Sequence, residues 1–174
     1  AFVAFGVTLS WAQRSWPFGV RSAPPHPARP WLSRGSALLF GALPALAFPE
    51  PSIWPFGVVG LVPLIWLVST APSGREAGWR VWYGGIGFFV AVHHWLVPVT
   101  GPFVVPLAMA LALLWVPWGG LVWALLGGER SGGRLAGALL LVPSAWVVAE
   151  YLRSWDHLGG PWGLLGATQW QNRT

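Results

Sequence analysis

One group of residues in this chain of 174 could form a polar site: an indole, a carboxylate and a guanidinium, at Trp146, Glu150 and Arg153. Separations of four and three residues place side chains on one helical face, so we predict that the carboxylate and the guanidinium pair there. An isolated charge costs about 2.5 to 3.5 kcal/mol at the centre of a bilayer and less near its surface. Within an apolar helix, the pair is therefore either a structural contact or the rim of a polar substrate site.

Two patterns that contain histidine suggest other chemistry. His93 and His94 are adjacent, and adjacent side chains on a helix point about 100° apart, whereas a metal site needs three or four convergent ligands. We therefore predict a structural or interfacial role for both and no bound metal. Ser154, Asp156 and His157 resemble the parts of a hydrolase triad, but their spacing is local and no G-x-S-x-G turn is present. We do not assign a triad to them.

The segment 154–171 follows this constellation directly. Its glycines and Pro161 prevent a continuous helix, yet its tryptophans and apolar residues are unusual for a solvated loop. We predict that it lies in the outer membrane interface.

The elements that position these residues are five apolar runs. A helix needs about 20 residues to cross the hydrocarbon core, and the runs are close to that length. The sequence therefore predicts an all-α, polytopic transmembrane bundle of about five helices. Internal prolines predict kinks, and the four-residue connection 49–52 predicts a helical hairpin from the first two runs. The runs are 31–48, 53–70, 79–97, 103–126 and 135–151.

Tryptophans and small residues refine the prediction. Indole rings near helix ends are typical of the headgroup layer, and five tryptophans are so placed: Trp54, Trp79, Trp82, Trp95 and Trp155. Trp115, Trp118 and Trp123 lie inside the fourth run, so they must pack against helices or lipid, and their N–H groups need acceptors. Gly133 and Gly137 form a small-xxx-small pair that favours close helix approach.

The arginines alternate between connections and predict the orientation. Eight of the ten basic residues lie before or at the start of the first run, before or at the start of the third, and between the fourth and fifth. The turns around Glu50 and 100–102 have none. Because arginines in short loops stay in the cytoplasm, we predict a cytoplasmic N-terminus and an outer location for the end of the fifth run.

Composition excludes several functional classes. The chain is 55% hydrophobic and 9% charged, against about one quarter charged in soluble domains. It contains neither Cys nor Lys, which excludes a disulfide, a thiolate nucleophile and a Schiff base. The arginines form no continuous stripe, so we expect no nucleic-acid partner. Residues 1–35 are predicted to be an N-terminal segment, the remnant of a helix, with a proline-rich linker.

Three sequence blocks resemble the membrane-embedded N-terminal part of bacterial apolipoprotein N-acyltransferase. The most specific reads Pro-Ser-Ala-Trp-Val-Val-Ala-Glu-Tyr-Leu-Arg from Pro143, followed by Gly-Gly-Pro-Trp and Gly-Ala-Thr-Gln. The other two are 39–55 and 85–95. Gly160 stands where the family often has an aromatic residue. The resemblance covers about 36–172, which we take as the transmembrane domain.

The resemblance implies an activity in the bacterial inner membrane. The family transfers an acyl chain from a phospholipid donor to the N-terminal S-diacylglyceryl-cysteine of lipoproteins, without a cofactor. Its Glu, Lys and Cys catalytic residues lie in a nitrilase-like domain expected after residue 174, so none is assigned here. By resemblance, the residues that bind substrate or brace that domain are Trp95, Trp146, Glu150, Arg153, Trp162 and Gln169.

The sequence leaves two other hypotheses for the function open. The chain could be the N-terminal membrane half of a protein that continues into a polyprenol-phosphate mannosyltransferase. It could also be a non-enzymatic scaffold or half of a transporter, although a transporter favours inverted repeats and none is evident.

Overall fold

The computed structural model describes residues 29–49, 51–129, 131–155 and 160–169, and every regular element in these ranges is helical. The predicted all-α bundle is thus confirmed. The α-helices are α1 (Pro30–Ala42), α2 (Phe56–Val59), α3 (Val62–Ser69), α4 (Gly74–Val92), α5 (Val97–Thr100), α6 (Val104–Ala112), α7 (Val116–Leu126) and α8 (Gly132–Arg153). Short 3-10 helices are Leu43–Ala47, His94–Leu96, Gly101–Phe103, Leu113–Trp115 and Leu165–Gln169.

Helix α4 forms the centre of the bundle. It packs against α1 on one side and against α6 and α7 on another, and nine of its 19 residues are buried. Helix α8 packs on α7 and has four buried residues out of 22. Most of the surface of α8 is therefore left for lipid.

The closest helix contact joins α1 to α4 through glycines. A Cβ added at Gly41 would lie 1.9 Å from the carbonyl oxygen of Gly84, so any side chain there would force the helices apart. The predicted close approach at Gly133 and Gly137 is wrong. A Cβ at Gly133 would meet nothing within 4 Å, and one at Gly137 would meet only Leu125 Cδ2 at 3.8 Å.

The predicted hairpin between the first two runs is present. Ser52 N donates to Phe48 O and Ile53 N donates to Leu46 O, both at 2.8 Å, and Ser52 adopts a positive φ of 61°. The second run is shorter than predicted, because its helical part is Phe56–Ser69, interrupted between α2 and α3. Fourteen helical residues rise roughly 21 Å, less than a hydrocarbon core of about 30 Å.

Several prolines of the described residues lie in the first turn of a helix and not in its interior. Pro63 and Pro117 lie in the first turns of α3 and α7, where a missing N–H breaks no helical hydrogen bond. Pro44 lies at the start of the 3-10 turn that follows α1, as its position within the first run suggested. Among the prolines of the described ranges, Pro143 is the one that lies well inside a helix, α8.

Two continuous helical stretches of the described residues are long and apolar enough to cross a membrane. They are His94–Leu126, with 33 residues, and Gly132–Arg153, with 22. Leu139 and Leu140 on α8 are 72% and 70% exposed, which suits a lipid-facing surface. The length and composition of these two stretches fit insertion into a membrane.

Tryptophans of the fourth run pack against other helices in the core, which is one of the two environments predicted for them. Trp115, Trp118 and Trp123 are at most 3% exposed. Trp118 Nε1 donates to Val142 O at 3.1 Å, which ties α7 to α8. Trp123 Nε1 donates to Ala71 O at 2.9 Å, which ties the end of α7 to the start of α4. The predicted acceptors for these two indole N–H groups are thus present.

Candidate functional site

The last turns of α8 carry Trp146, Glu150 and Arg153 on one face, as predicted. Glu150 Oε1 accepts a hydrogen bond from Leu165 N at 2.7 Å, and the Arg153 guanidinium donates to Trp162 O. Among the residues described, ion pairs within 4.0 Å involve Arg34, Glu76 and Arg80 only. The predicted Glu150–Arg153 pair is therefore wrong.

The pair does not form because residues 160–169 return toward the bundle and offer backbone partners. Gly160 and Gly163 have φ values of 71° and 76°, a region that L side chains rarely adopt, so the chain reverses there. A 3-10 helix, Leu165–Gln169, follows. The prediction that glycine and proline prevent a continuous helix is confirmed. Arg153 is only 2% exposed, and its guanidinium carbon lies 5.3 Å from the centre of the Phe89 ring.

An apolar groove of about 460 Å³ opens beside this segment, between α2, α3, α7 and α8. Glu150 and Gln169 are its polar lining groups, and Trp118 and Trp146 form part of its apolar wall. The two indole rings pack edge to face with centroids 5.0 Å apart, so that wall is rigid. The arrangement suits a molecule with a long apolar part and a polar end.

A second pocket, of about 530 Å³, is lined in part by Trp162 and Gly163 of the same 160–169 segment. Trp95 and Trp162 both line it, and their rings pack edge to face at 5.7 Å. The structure thus divides the six candidate residues. Trp146, Glu150 and Gln169 line the groove, and Trp95 and Trp162 line the second pocket. Arg153 lines neither and donates to the carbonyl oxygen of Trp162.

His93 and His94 each lie within hydrogen-bonding distance of a backbone carbonyl oxygen. His93 is buried and its Nδ1 lies 3.0 Å from Phe89 O, while His94 Nδ1 lies 2.8 Å from Ala91 O. These contacts fit the structural role predicted for both residues. Asp156 and His157 of the triad pattern lie outside the described residues.

A charge cluster at the other end of the bundle was not predicted. Arg34 Nη2 lies 2.8 Å from Glu76 Oε2, and Arg80 Nε lies 3.5 Å from Glu76 Oε1. Two sequence signals could have indicated it. The first is the Ser73-x-x-Glu76 pattern of a helix start, and the second is the four-residue spacing of Glu76 and Arg80. Sequence reasoning counted these arginines only as topology signals.

Fold and groove together define an all-α bundle that fits membrane insertion and carries an apolar groove with two polar lining residues. A family model described as the apolipoprotein N-acyltransferase N-terminal domain matches residues 40–174. The chain belongs to the apolipoprotein N-acyltransferase family.

Curated relatives agree with this family. The apolipoprotein N-acyltransferase of Coxiella burnetii is 33% identical over 150 residues, which cover 76% of this chain and 29% of that protein. The Pseudomonas aeruginosa protein of the same name is 31% identical over 156 residues, 81% of this chain and 30% of that protein. The Vibrio vulnificus protein is 30% identical over 148 residues, 77% and 28%. This chain spans less than a third of each relative.

Proposed function

We propose that this chain is the membrane anchor and lipid-access part of an apolipoprotein N-acyltransferase. Such an enzyme moves an acyl chain from a phospholipid to the N-terminal S-diacylglyceryl-cysteine of a lipoprotein. The observation that carries the proposal is the apolar groove with Glu150 and Gln169 in its lining. Family membership supports the same assignment. The chain contains neither Cys nor Lys, so we expect catalysis to depend on a further domain.

The groove would select its lipid by its polar lining. Inside a bilayer, acyl chains gain little from leaving other acyl chains, because the surroundings are equally apolar. Discrimination then depends on shape and on hydrogen bonds to the headgroup. The Glu150 carboxylate accepts from Leu165 N through Oε1 and can accept further from an ammonium or hydroxyl group. Gln169 Nε2 donates to Trp54 O and Thr168 Oγ1, so this residue shapes the polar end of the groove.

The orientation of the bundle supports access from the outer leaflet. Arg34 and Arg80 meet at one end, and at that end Arg134 donates to Gly127 O at 2.8 Å. Glu150 lies at the far end of α8 from Arg134. Since arginine-rich ends stay in the cytoplasm, the groove would open toward the outer face of the inner membrane, with the N-terminus inside.

Filling the groove tests the proposal. Val147 and Val148 are neighbours on α8 and are 63% and 57% exposed, but only Val147 lines the groove. In a chimera in which this chain replaces the matching segment of the Pseudomonas aeruginosa enzyme, we expect Val147→Trp to lower acyl transfer at least tenfold. Val148→Trp should stay within twofold of the unmodified chimera. Acyl transfer to a diacylglyceryl peptide in phospholipid vesicles is the measurement, and equal effects would contradict the proposed groove.

Activity of the chain by itself tests the assignment of catalysis. We expect the purified chain in the same vesicles to show no acyl transfer above the protein-free rate. Measurable turnover would contradict the assignment of the reaction to another domain.

A further inference from the structure

A polar pocket of about 440 Å³ lies at the opposite end of the bundle from the groove, where α1 and α4 begin. Its charged lining residues are Arg34, Arg75, Glu76 and Arg80. Three guanidinium groups and one carboxylate give a formal net charge of 3 − 1 = +2. Glu76 contacts both Arg34 and Arg80, while Arg75 is exposed. The pocket therefore holds excess positive charge.

Arg80 is buried with its hydrogen-bonding capacity only partly used. The residue is 5% exposed, and its Nη1 donates to Leu67 O at 2.7 Å. Within the part of the chain described, the buried Nε atoms of Arg34 and Arg80 make no hydrogen bond, and Arg80 Nε has only a long ionic contact of 3.5 Å with Glu76 Oε1. A buried guanidinium with unsatisfied N–H groups is costly. An anion with several oxygens in this pocket would reduce that cost.

The start of α4 adds further donors. Ser73 caps the helix by accepting from Glu76 N at 3.2 Å. Glu76 occupies the position from which a carboxylate often bonds back to the cap, but its oxygens contact the two arginines instead. First-turn N–H groups have no acceptor within their own helix, and the dipole of this 19-residue helix favours an anion there.

We propose that this pocket binds the phosphate group of a phospholipid headgroup, or a free phosphate ion of the same chemistry. Planar guanidinium groups and a helix N-terminus both match phosphate oxygens. Trp79 also lines the pocket, and its ring is 37% exposed in the manner of an interfacial tryptophan. This site is separate from the acyl-chain groove and does not depend on the proposed acyl transfer.

Binding to the detergent-solubilised chain tests the site. Short-chain phosphatidylglycerol, short-chain phosphatidylcholine and inorganic phosphate are titrated separately by calorimetry. We expect phosphatidylglycerol to bind about tenfold tighter than phosphatidylcholine, because choline opposes the pocket's charge. Tighter binding of phosphatidylglycerol than of phosphatidylcholine shows that the pocket binds the headgroup of an anionic phospholipid. Phosphate binding without that lipid preference identifies the free ion, and binding of none of the three overturns the proposal.

Matched variants locate the binding. Arg75→Gln removes an exposed guanidinium from the pocket, and Arg29→Gln removes an equally exposed one that does not line it. We expect Arg75→Gln to weaken binding of the preferred probe about tenfold and Arg29→Gln to change it less than twofold. Arg34→Gln repeats the test at a second guanidinium. Equal losses in the Arg75 and Arg29 variants, or wild-type affinity in both pocket variants, would overturn the assignment.

Discussion

Helices α4 and α8 are both long and both carry charged residues, but they use them differently. On α4, Glu76 contacts two arginine side chains, Arg80 also donates to the backbone oxygen of Leu67, and the helix is buried on several sides. On α8, Glu150 and Arg153 contact the backbone of residues 160–169, and most of the helix surface is exposed. Helix α4 is therefore the scaffold of the bundle, whereas the end of α8 positions residues 160–169 beside the apolar groove.

The largest effect should come from the glycine contact between α1 and α4. Gly41→Ala places a Cβ 1.9 Å from Gly84 O, and both groups belong to rigid helices. We expect a loss of about 3 kcal/mol in the free energy of unfolding, measured by circular dichroism during denaturation in micelles. The control is Gly133→Ala on α8, where a Cβ meets nothing within 4 Å. It should be neutral or stabilising by up to about 1 kcal/mol, and equal destabilisation of both variants would contradict the comparison.

A smaller and more local effect should follow from Arg153→Met. Methionine retains much of the buried volume but removes the charged donor to Trp162 O. We expect about 2 kcal/mol of lost stability and faster amide hydrogen exchange in 160–169, because that segment loses an anchor. Arg75→Met removes an exposed guanidinium and should change stability by less than about 0.5 kcal/mol. Unchanged exchange in 160–169 would show that Arg153 does not hold the segment.

Glu76→Gln should have the smallest effect of the three. It removes the carboxylate that contacts both arginines, but the Arg34 side chain is 30% exposed, so solvent screens part of the loss. We expect about 1 kcal/mol in the same denaturation measurement. The loss should shrink when Arg80 is first replaced by Met, because less uncompensated charge then remains. An equal loss in both backgrounds would mean that the two charges are not coupled.

Much of this arrangement could be predicted from sequence because it follows from local spacing. Trp146, Glu150 and Arg153 share a helical face through the helix period alone, and Trp118 is buried because it lies inside an apolar run. The hairpin at 49–52 follows from its short connection. Such features depend on neighbours along the chain.

Features set by distant contacts could not be predicted. The Glu150–Arg153 pair was expected because the sequence does not reveal that Leu165 N returns to the end of α8. Gly133 and Gly137 match a packing motif, yet the close contact uses Gly41 and Gly84. In a chain with 23 glycines, spacing alone does not distinguish them. Whether a position must be glycine depends on how closely another helix approaches it.

The central claim is that the groove end and the arginine end face opposite sides of the membrane. The chain has no cysteine, so one introduced thiol reports one position. Gly166 lines the groove, is exposed and has room for a side chain, while Arg75 is exposed at the other end. Membrane-impermeant maleimide is applied to sealed vesicles of each orientation. We predict that Gly166→Cys is labelled only from the outer face and Arg75→Cys only from the cytoplasmic face. Labelling of both from one face, or the reverse pattern, would contradict the account.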